Sequence, residues 1–183
     1  MRPSVFAADT RGGVSVEMAF LTAIMVLLTG GTIEAGFAYH QNGSAQHAVR
    51  HGARLAVLSD PVSTKAPELS GTFRITCKGS TKRCSRGGFD AAAFGRILMG
   101  ADGDGECGAA PADRRGICDV NTAVKADDLV IVYARERRGE APIVTVTLRE
   151  RPLKTALIGP LMPKRWRTLP RVSATQTGGD LSG

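Results

Sequence analysis

Aromatic side chains are scarce in this 183-residue chain, at 5% with a single tryptophan, and signatures of catalysis are missing. There is no G-x-S-x-G, no H-E-x-x-H, no Walker phosphate loop and no G-x-G-x-x-G after a strand-like run. Those motifs are how a short sequence places a nucleophile, a catalytic zinc or a phosphate cradle. Their absence leads us to expect no enzyme, no catalytic residues, no cofactor and no small-molecule substrate. Single-stranded nucleic acid is recognised largely by stacking on aromatic rings. With so few rings, and no zinc-finger spacing, nucleic acid is not an expected partner.

Charge is the next scarcity, and it is local. Sixteen consecutive residues between Glu17 and Glu34 carry no formal charge. The whole chain is basic at +7, and the excess lies late: after Pro61 there are 20 Lys/Arg against 13 Asp/Glu. They occur in short clusters such as Lys82-Arg83, Arg114-Arg115 and Lys164-Arg165-Trp166-Arg167. Such clusters read first as solvated loops. A basic head that binds an acidic polymer or DNA is the alternative reading.

The four cysteines, Cys77, Cys84, Cys107 and Cys118, all follow the uncharged block. An even number after an export-type N-terminus points to two disulfides in an oxidising compartment. Three pairings are possible. Cys77–Cys84 with Cys107–Cys118, which closes two short loops, is the preferred one.

The uncharged block is the core of a longer apolar run from Val14 to Tyr39, interrupted by Gly30 and Gly31. As a helix, its sixteen uncharged residues cover roughly 24 Å. The apolar residues flanking each glutamate extend that towards the ~30 Å of a hydrocarbon core. Glu17 stands out, because a carboxylate in an apolar helix is costly and needs a partner or a function. If the chain is cut after Gly12, Gly13 becomes the N-terminus and Glu17 the fifth residue. The freed amine and the carboxylate can then neutralise each other in lipid, within one helix or between neighbours. An ordinary signal anchor and a cleaved signal peptide are the competing readings. The run is long for a cleaved signal, and the small-x-small pattern near Ala38 is poor. Neither alternative accounts for Glu17.

The stretch Arg11-Gly12-Gly13-Val14-Ser15-Val16-Glu17-Met18-Ala19-Phe20-Leu21 resembles the N-terminus of TadE-like proteins, minor pseudopilins of the tight-adherence (Tad/Flp) pilus system. Ile33-Glu34-Ala35-Gly36-Phe37-Ala38-Tyr39 is similar to that family's second glutamate. Ala45 to Arg54 is similar to its Ala/Arg/Gly-rich continuation. Met18 departs from the pattern, where an aromatic residue is usual. The resemblance implies prepilin-type processing at Gly12 and Gly13, and recognition and assembly roles for Glu17 and Glu34. It also implies a prepilin peptidase, other pilus subunits and the Tad secretion machinery as partners.

Beyond the apolar block, no proline occurs from His40 to Leu58. Ala45, Ala48, Val49, Gly52, Ala53, Ala56 and Val57 recur at three- and four-residue spacing, a helical stripe of small residues. Small side chains let another element approach closely. Asp60-Pro61 ends the helix. His47 and His51 stand four residues apart, but no acid or cysteine nearby completes a metal set, and they read as solvated or packing histidines. Asp102-Gly103-Asp104-Gly105-Glu106 lacks the remaining ligands of a calcium loop and reads as an acidic turn. No metal site is expected.

In the remainder, 62–71 reads as a polar linker, Thr72–Cys77 as a strand, and Lys78–Gly88 as a basic loop. Phe89–Met99 reads as a short helix with Phe94, Ile97 and Leu98 inward. Leu129–Ala134 and Pro142–Leu148 read as a hairpin around a Gly-containing turn, and Arg171–Thr175 as a last strand.

The expected architecture is α+β: one long helix, a single transmembrane anchor at its start, and a small antiparallel sheet packed on its exposed part. Residues 1–12 are the expected leader, 13–60 the helix with a membrane part over about 14–39, and 61–183 an exported head. Arg2 and Arg11 place the N-terminus in the cytoplasm, and the cysteines place the head outside the inner membrane.

Overall fold

In a computed structural model, residues 11–66, 71–101, 106–108, 111, 113–153, 163 and 168–178 are described, with side chains from Ser15 onward. The expected leader (apart from Arg11 and Gly12), the Asp102-Gly103-Asp104-Gly105 turn and the Lys164-Arg165-Trp166-Arg167 cluster lie outside the described residues.

Helix α1 runs unbroken over Arg11–Leu58, 48 residues, close to the expected span. Two stretches make it, by different means. Up to Tyr39 it is apolar all round. From Ala45 onward it carries the small-residue stripe, and Ala45, Ala48, Val49, Ala53 and Ala56 are buried. Its end is tied back by Ser59, whose Oγ and backbone N–H both donate to the Leu55 carbonyl at 2.6 and 2.9 Å. Proline at 61 cannot continue a helix.

The head is a five-stranded, wholly antiparallel sheet in the order β2-β1-β3-β4-β7. Its strands are β1 (Phe73–Lys78), β2 (Arg83–Cys84), β3 (Leu129–Arg135), β4 (Ile143–Leu148) and β7 (Val172–Thr177). A separate ribbon pairs β5 (Arg151–Pro152) with β6 (Thr168–Leu169). Period-two alternation sets the two faces of the main sheet. Cys77, Ile131, Val146 and Ala174 form one cross-strand row, and Ile75, Tyr133, Val144 and Gln176 the next. From β1 to β4 these rows are buried against the helices; β7, at the edge, is half-buried there. The opposite face carries Thr76, Val132, Thr145 and Thr175 in one row, with the Thr145 and Thr175 hydroxyls 3.0 Å apart.

The helical layer is completed by α2 (Ala91–Met99) and α3 (Ile117–Val120). Asp90 caps α2, its carboxylate accepting from Ala92 and Ala93 N–H at 2.8 and 3.0 Å. A cap of this kind stabilises by about 1 kcal/mol. Phe94, Ile97 and Leu98 face the core as their spacing predicts. Gly52 gives α3 its place: a Cβ there would run into the Ile117 side chain. The sequence thus positions the head on the helix by leaving out side chains along one stripe.

Three expectations need correction. Residues 62–71 are not a free linker at their start. Val62 and Ser63 are fully buried, Ser63 bridges to Phe89, and the Val62 N–H donates to the Tyr133 hydroxyl at 3.1 Å. A polar composition hid an anchor that a single buried phenol supplies. The short helix begins at Ala91 rather than Phe89, because Asp90 takes the extended cap conformation. The basic loop contains β2, held opposite Cys77 by the Cys77–Cys84 disulfide. The pairing Cys77–Cys84 with Cys107–Cys118 is the preferred one of the three.

Candidate functional site

Along α1 from Val16 to Tyr39 the large apolar side chains are exposed: Phe20 at 68%, Met25 at 63% and Leu28 at 62%. This part of the helix is long and apolar enough to cross a membrane, with a mean hydropathy of 1.8 over its best window and none of that window buried by the head. Exposing so many aliphatic side chains to water is unfavourable by roughly 25 cal/mol per Å². A lipid environment removes that cost, and the segment fits a single-pass anchor. Thr22 and Thr29 keep their hydroxyls satisfied within the helix, donating to the Met18 and Met25 carbonyls at 2.7 Å each. That is how a hydroxyl is carried through lipid without an unpaired donor.

Two carboxylates bracket the segment, in different settings. Glu17 is exposed on the helix surface. Glu34 is buried, at 6%, although Ile33 and Phe37 beside it are 54% and 58% exposed. Seventeen residues separate them, roughly 25 Å along the axis and about 100° around it. The structure therefore does not bring them together; it puts one at each end of the apolar run. Gly12 and Gly13 lie in the first turn of α1, one turn from Glu17.

The other singled-out residues lie in the head. The two disulfides sit in separate places. Cys77–Cys84 ties β2 to β1, and Cys107–Cys118 ties the chain before α3 to its second residue. Asp119 reinforces the latter, its carboxylate accepting from the backbone N–H groups of Gly108 at 2.6 Å and Gly116 at 2.7 Å. The His51 ring Nε2 lies 2.7 Å from the Arg115 carbonyl, a packing role. His47 instead lines a shallow cleft with Tyr39, His40 and Val120. Among the described residues, no group of three or more His, Cys, Asp or Glu side chains is placed to hold a metal.

Sequence reasoning missed two buried polar side chains. Tyr133 is fully buried, and burial pushes its phenol up from 10 to about 12, while the hydrogen bond from Val62 pulls the other way. Arg151 is a buried cation, at 8%, in the β5–β6 ribbon beside Gln41 of α1. The alternating pattern marks Tyr133 as inward. Nothing in the local sequence marks Arg151, because arginines are mostly exposed.

Comparison with known proteins bears on the helix alone. No curated protein and no solved structure matches the chain. Residues 12–54 match the model of the TadE-like protein family. The match begins at the glycine pair, takes in Glu17 and Glu34, and ends within the small-residue stripe, so this stretch of α1 is similar to the TadE-like family.

Proposed function

We propose that this protein is a non-enzymatic minor pilin, or pseudopilin, that acts in assembly of a Tad-type pilus from the inner membrane. The observation that carries the reading is the family match over Gly12 to Arg54, on a helix whose apolar half is exposed and whose two glutamates bracket it. In this reading residues 1–12 are a leader removed between Gly12 and Gly13 by a prepilin peptidase. The freed amine then pairs with Glu17 of its own or a neighbouring subunit. Residues 13–60 form the pilin-like helix, with about 14–39 in the membrane. Residues 61–183 are the exported head, stapled by its disulfides in an oxidising compartment. Partners are other pilus subunits and the Tad secretion machinery.

Intact-mass analysis of the membrane-extracted protein tests processing. The expected N-terminus is Gly13, and a chain still starting at Met1 beside an active prepilin peptidase rejects it. Glu17→Gln is expected to leave cleavage and membrane insertion in place but to abolish co-fractionation with pilus components. Retained co-fractionation rejects the assembly role of that carboxylate.

A second reading, an anchored module that binds an acidic polymer, rests on one surface. Arg74, Lys78, Arg149 and Arg171 surround a groove of about 570 Å³ on the outer sheet face, and no carboxylate is among its described lining residues. Salt-dependent retention on a polyanion matrix, lost in an Arg149→Gln/Arg171→Gln double variant, supports it; retention insensitive to salt refutes it.

A further inference from the structure

The two edges of the main sheet are finished differently. At one, β2 is two residues long and is tied to β1 by the Cys77–Cys84 disulfide. Beside it Ser85 closes the backbone of Thr76. The Ser85 N–H donates to the Thr76 carbonyl at 2.9 Å, and the Ser85 hydroxyl accepts from the Thr76 N–H at 3.0 Å. Short strands and covered backbone keep an edge from pairing with another chain. At the other edge, β7 has none of these devices. It keeps register with β4 over six residues, Val172-Ser173-Ala174-Thr175-Gln176-Thr177, without a charge or a proline. The residue after it fixes its hydrogen-bonding phase: the Gly178 N–H donates to the Pro142 carbonyl at 2.6 Å, in the same register. Bonded pairs alternate in an antiparallel ladder. Val172, Ala174 and Gln176 therefore bond to β4, and Ser173, Thr175 and Thr177 turn their N–H and C=O groups outward. Among the described residues, nothing pairs with these outward groups.

The open edge borders a groove of about 330 Å³ between residues 170–173 and the Asn42, Gln46 and Arg50 side of α1. Its described lining includes the cations Arg50 and Arg171 and no carboxylate. Both arginines are exposed, and among the described residues neither has an ion-pair partner within 4.0 Å. A chain laid beside β7 sends alternate side chains toward this basic helix face, and the others beside Ser173, Thr175 and Thr177. A second copy is a poor occupant. The two-fold axis of an antiparallel β7–β7 pair stands perpendicular to the sheet, so it reverses α1, which packs along β4 and β7. Two copies anchored in one membrane from the same side cannot meet that way. We propose that the β7 edge takes up an extended segment of another protein as a sixth antiparallel strand, with acidic side chains toward Arg50 and Arg171 and β-branched ones on the outer face. The proposal goes beyond pilus assembly and does not depend on it; only the case against a second copy rests on α1 crossing the membrane.

The test uses the full-length chain in detergent and a fluorescent octapeptide of alternating threonine and glutamate, followed by anisotropy. Peptide residues opposite Ser173, Thr175 and Thr177 lie on the same face as they do and exchange hydrogen bonds with them, so the peptide's threonines carry the pairing. N-methylation of those threonines is expected to weaken binding at least about tenfold, whereas N-methylation of the glutamates, whose N–H groups point away from β7, leaves it within about threefold. A threonine–lysine octapeptide is expected to bind about tenfold more weakly than the glutamate one, and an Arg50→Glu/Arg171→Glu double variant to reverse that order. Thr175→Pro is expected to fold, because the N–H it removes takes no part in the β4 ladder, and to lose binding. Equal binding of the two N-methylated peptides by the wild type reduces the contact to charge attraction and overturns the proposal, and that comparison needs no variant to fold. Undiminished binding by a folded Thr175→Pro chain also overturns it. So does preference for the lysine peptide, or binding of neither. A dimer of the chain that Thr175→Pro abolishes assigns the edge to a second copy and overturns the proposal as well.

Discussion

Gly43 and Gly52 lie nine residues apart on α1, on opposite faces, and replacing each with alanine should move stability in opposite directions. In both cases the helix gains the same intrinsic preference, about 0.8–1 kcal/mol for Gly to Ala. At Gly43 nothing lies within 4 Å of the added methyl, so the gain is kept. At Gly52 the methyl meets the Ile117 side chain. Ile117 is fully buried, opens α3 and is followed by the disulfide-bonded Cys118, so it has little room to yield. Overpacking of this kind costs about 1–3 kcal/mol. Gly52→Ala therefore nets out at about 1 kcal/mol of destabilisation against a similar stabilisation for Gly43→Ala. For a head of this size, 1 kcal/mol corresponds to roughly 4 °C in melting temperature. Thermal unfolding of the detergent-solubilised chain, followed by circular dichroism, should show one variant melting above the wild type and the other below. If Gly52→Ala stabilises as much as Gly43→Ala, the close approach of α3 to the helix is wrong.

Other outcomes follow from the head. Tyr133 has its phenol pushed up to about 12, so its neutral form favours the fold. That contribution is full below pH 10 and is lost as pH rises through 12, about 3 kcal/mol in all, by denaturant titration at each pH. Tyr133→Phe removes this alkaline dependence. It also leaves the buried Val62 N–H without its acceptor, at a cost of about 1–3 kcal/mol at neutral pH. Asp90→Ala should cost about 1 kcal/mol, and Asp90→Asn much less, because asparagine still accepts at the N-cap. Replacing Cys107 and Cys118 together with alanine should cost about 2–3 kcal/mol of head stability from loop closure alone, read as a lowered urea midpoint.

What the sequence reveals of this fold depends on the range of each interaction. The long helix, β1, the β3–β4 hairpin and β7 are written in local periodicity, so their residues can be read in place. The inward set Phe94, Ile97 and Leu98 follows for the same reason. Strand neighbours are another matter. Pairing β1 with β3 joins Ile75 to Tyr133 across nearly half of the head, and no local pattern encodes it. Val62 is legible only once Tyr133 is known to lie under it. The candidate site divides likewise. Glu17 and Glu34 stand out because charge is rare in an apolar run, whereas Arg151 is one of 24 basic residues and only folding sets it apart.

The continuity of α1 has a mechanical consequence. At 48 residues it is a rod of roughly 72 Å, with the head fixed to its upper part and no break where it leaves the apolar segment. With its apolar run in a bilayer, as proposed above, such a rod would act as a lever pivoting there. From the middle of the apolar run near Met25 to Val49 in the core is 24 residues, roughly 36 Å. A tilt of about 20°, ordinary for a spanning helix, then swings the head sideways by roughly 12 Å. A force applied to the head, or a change in bilayer thickness, is transmitted to the other end without loss in a hinge.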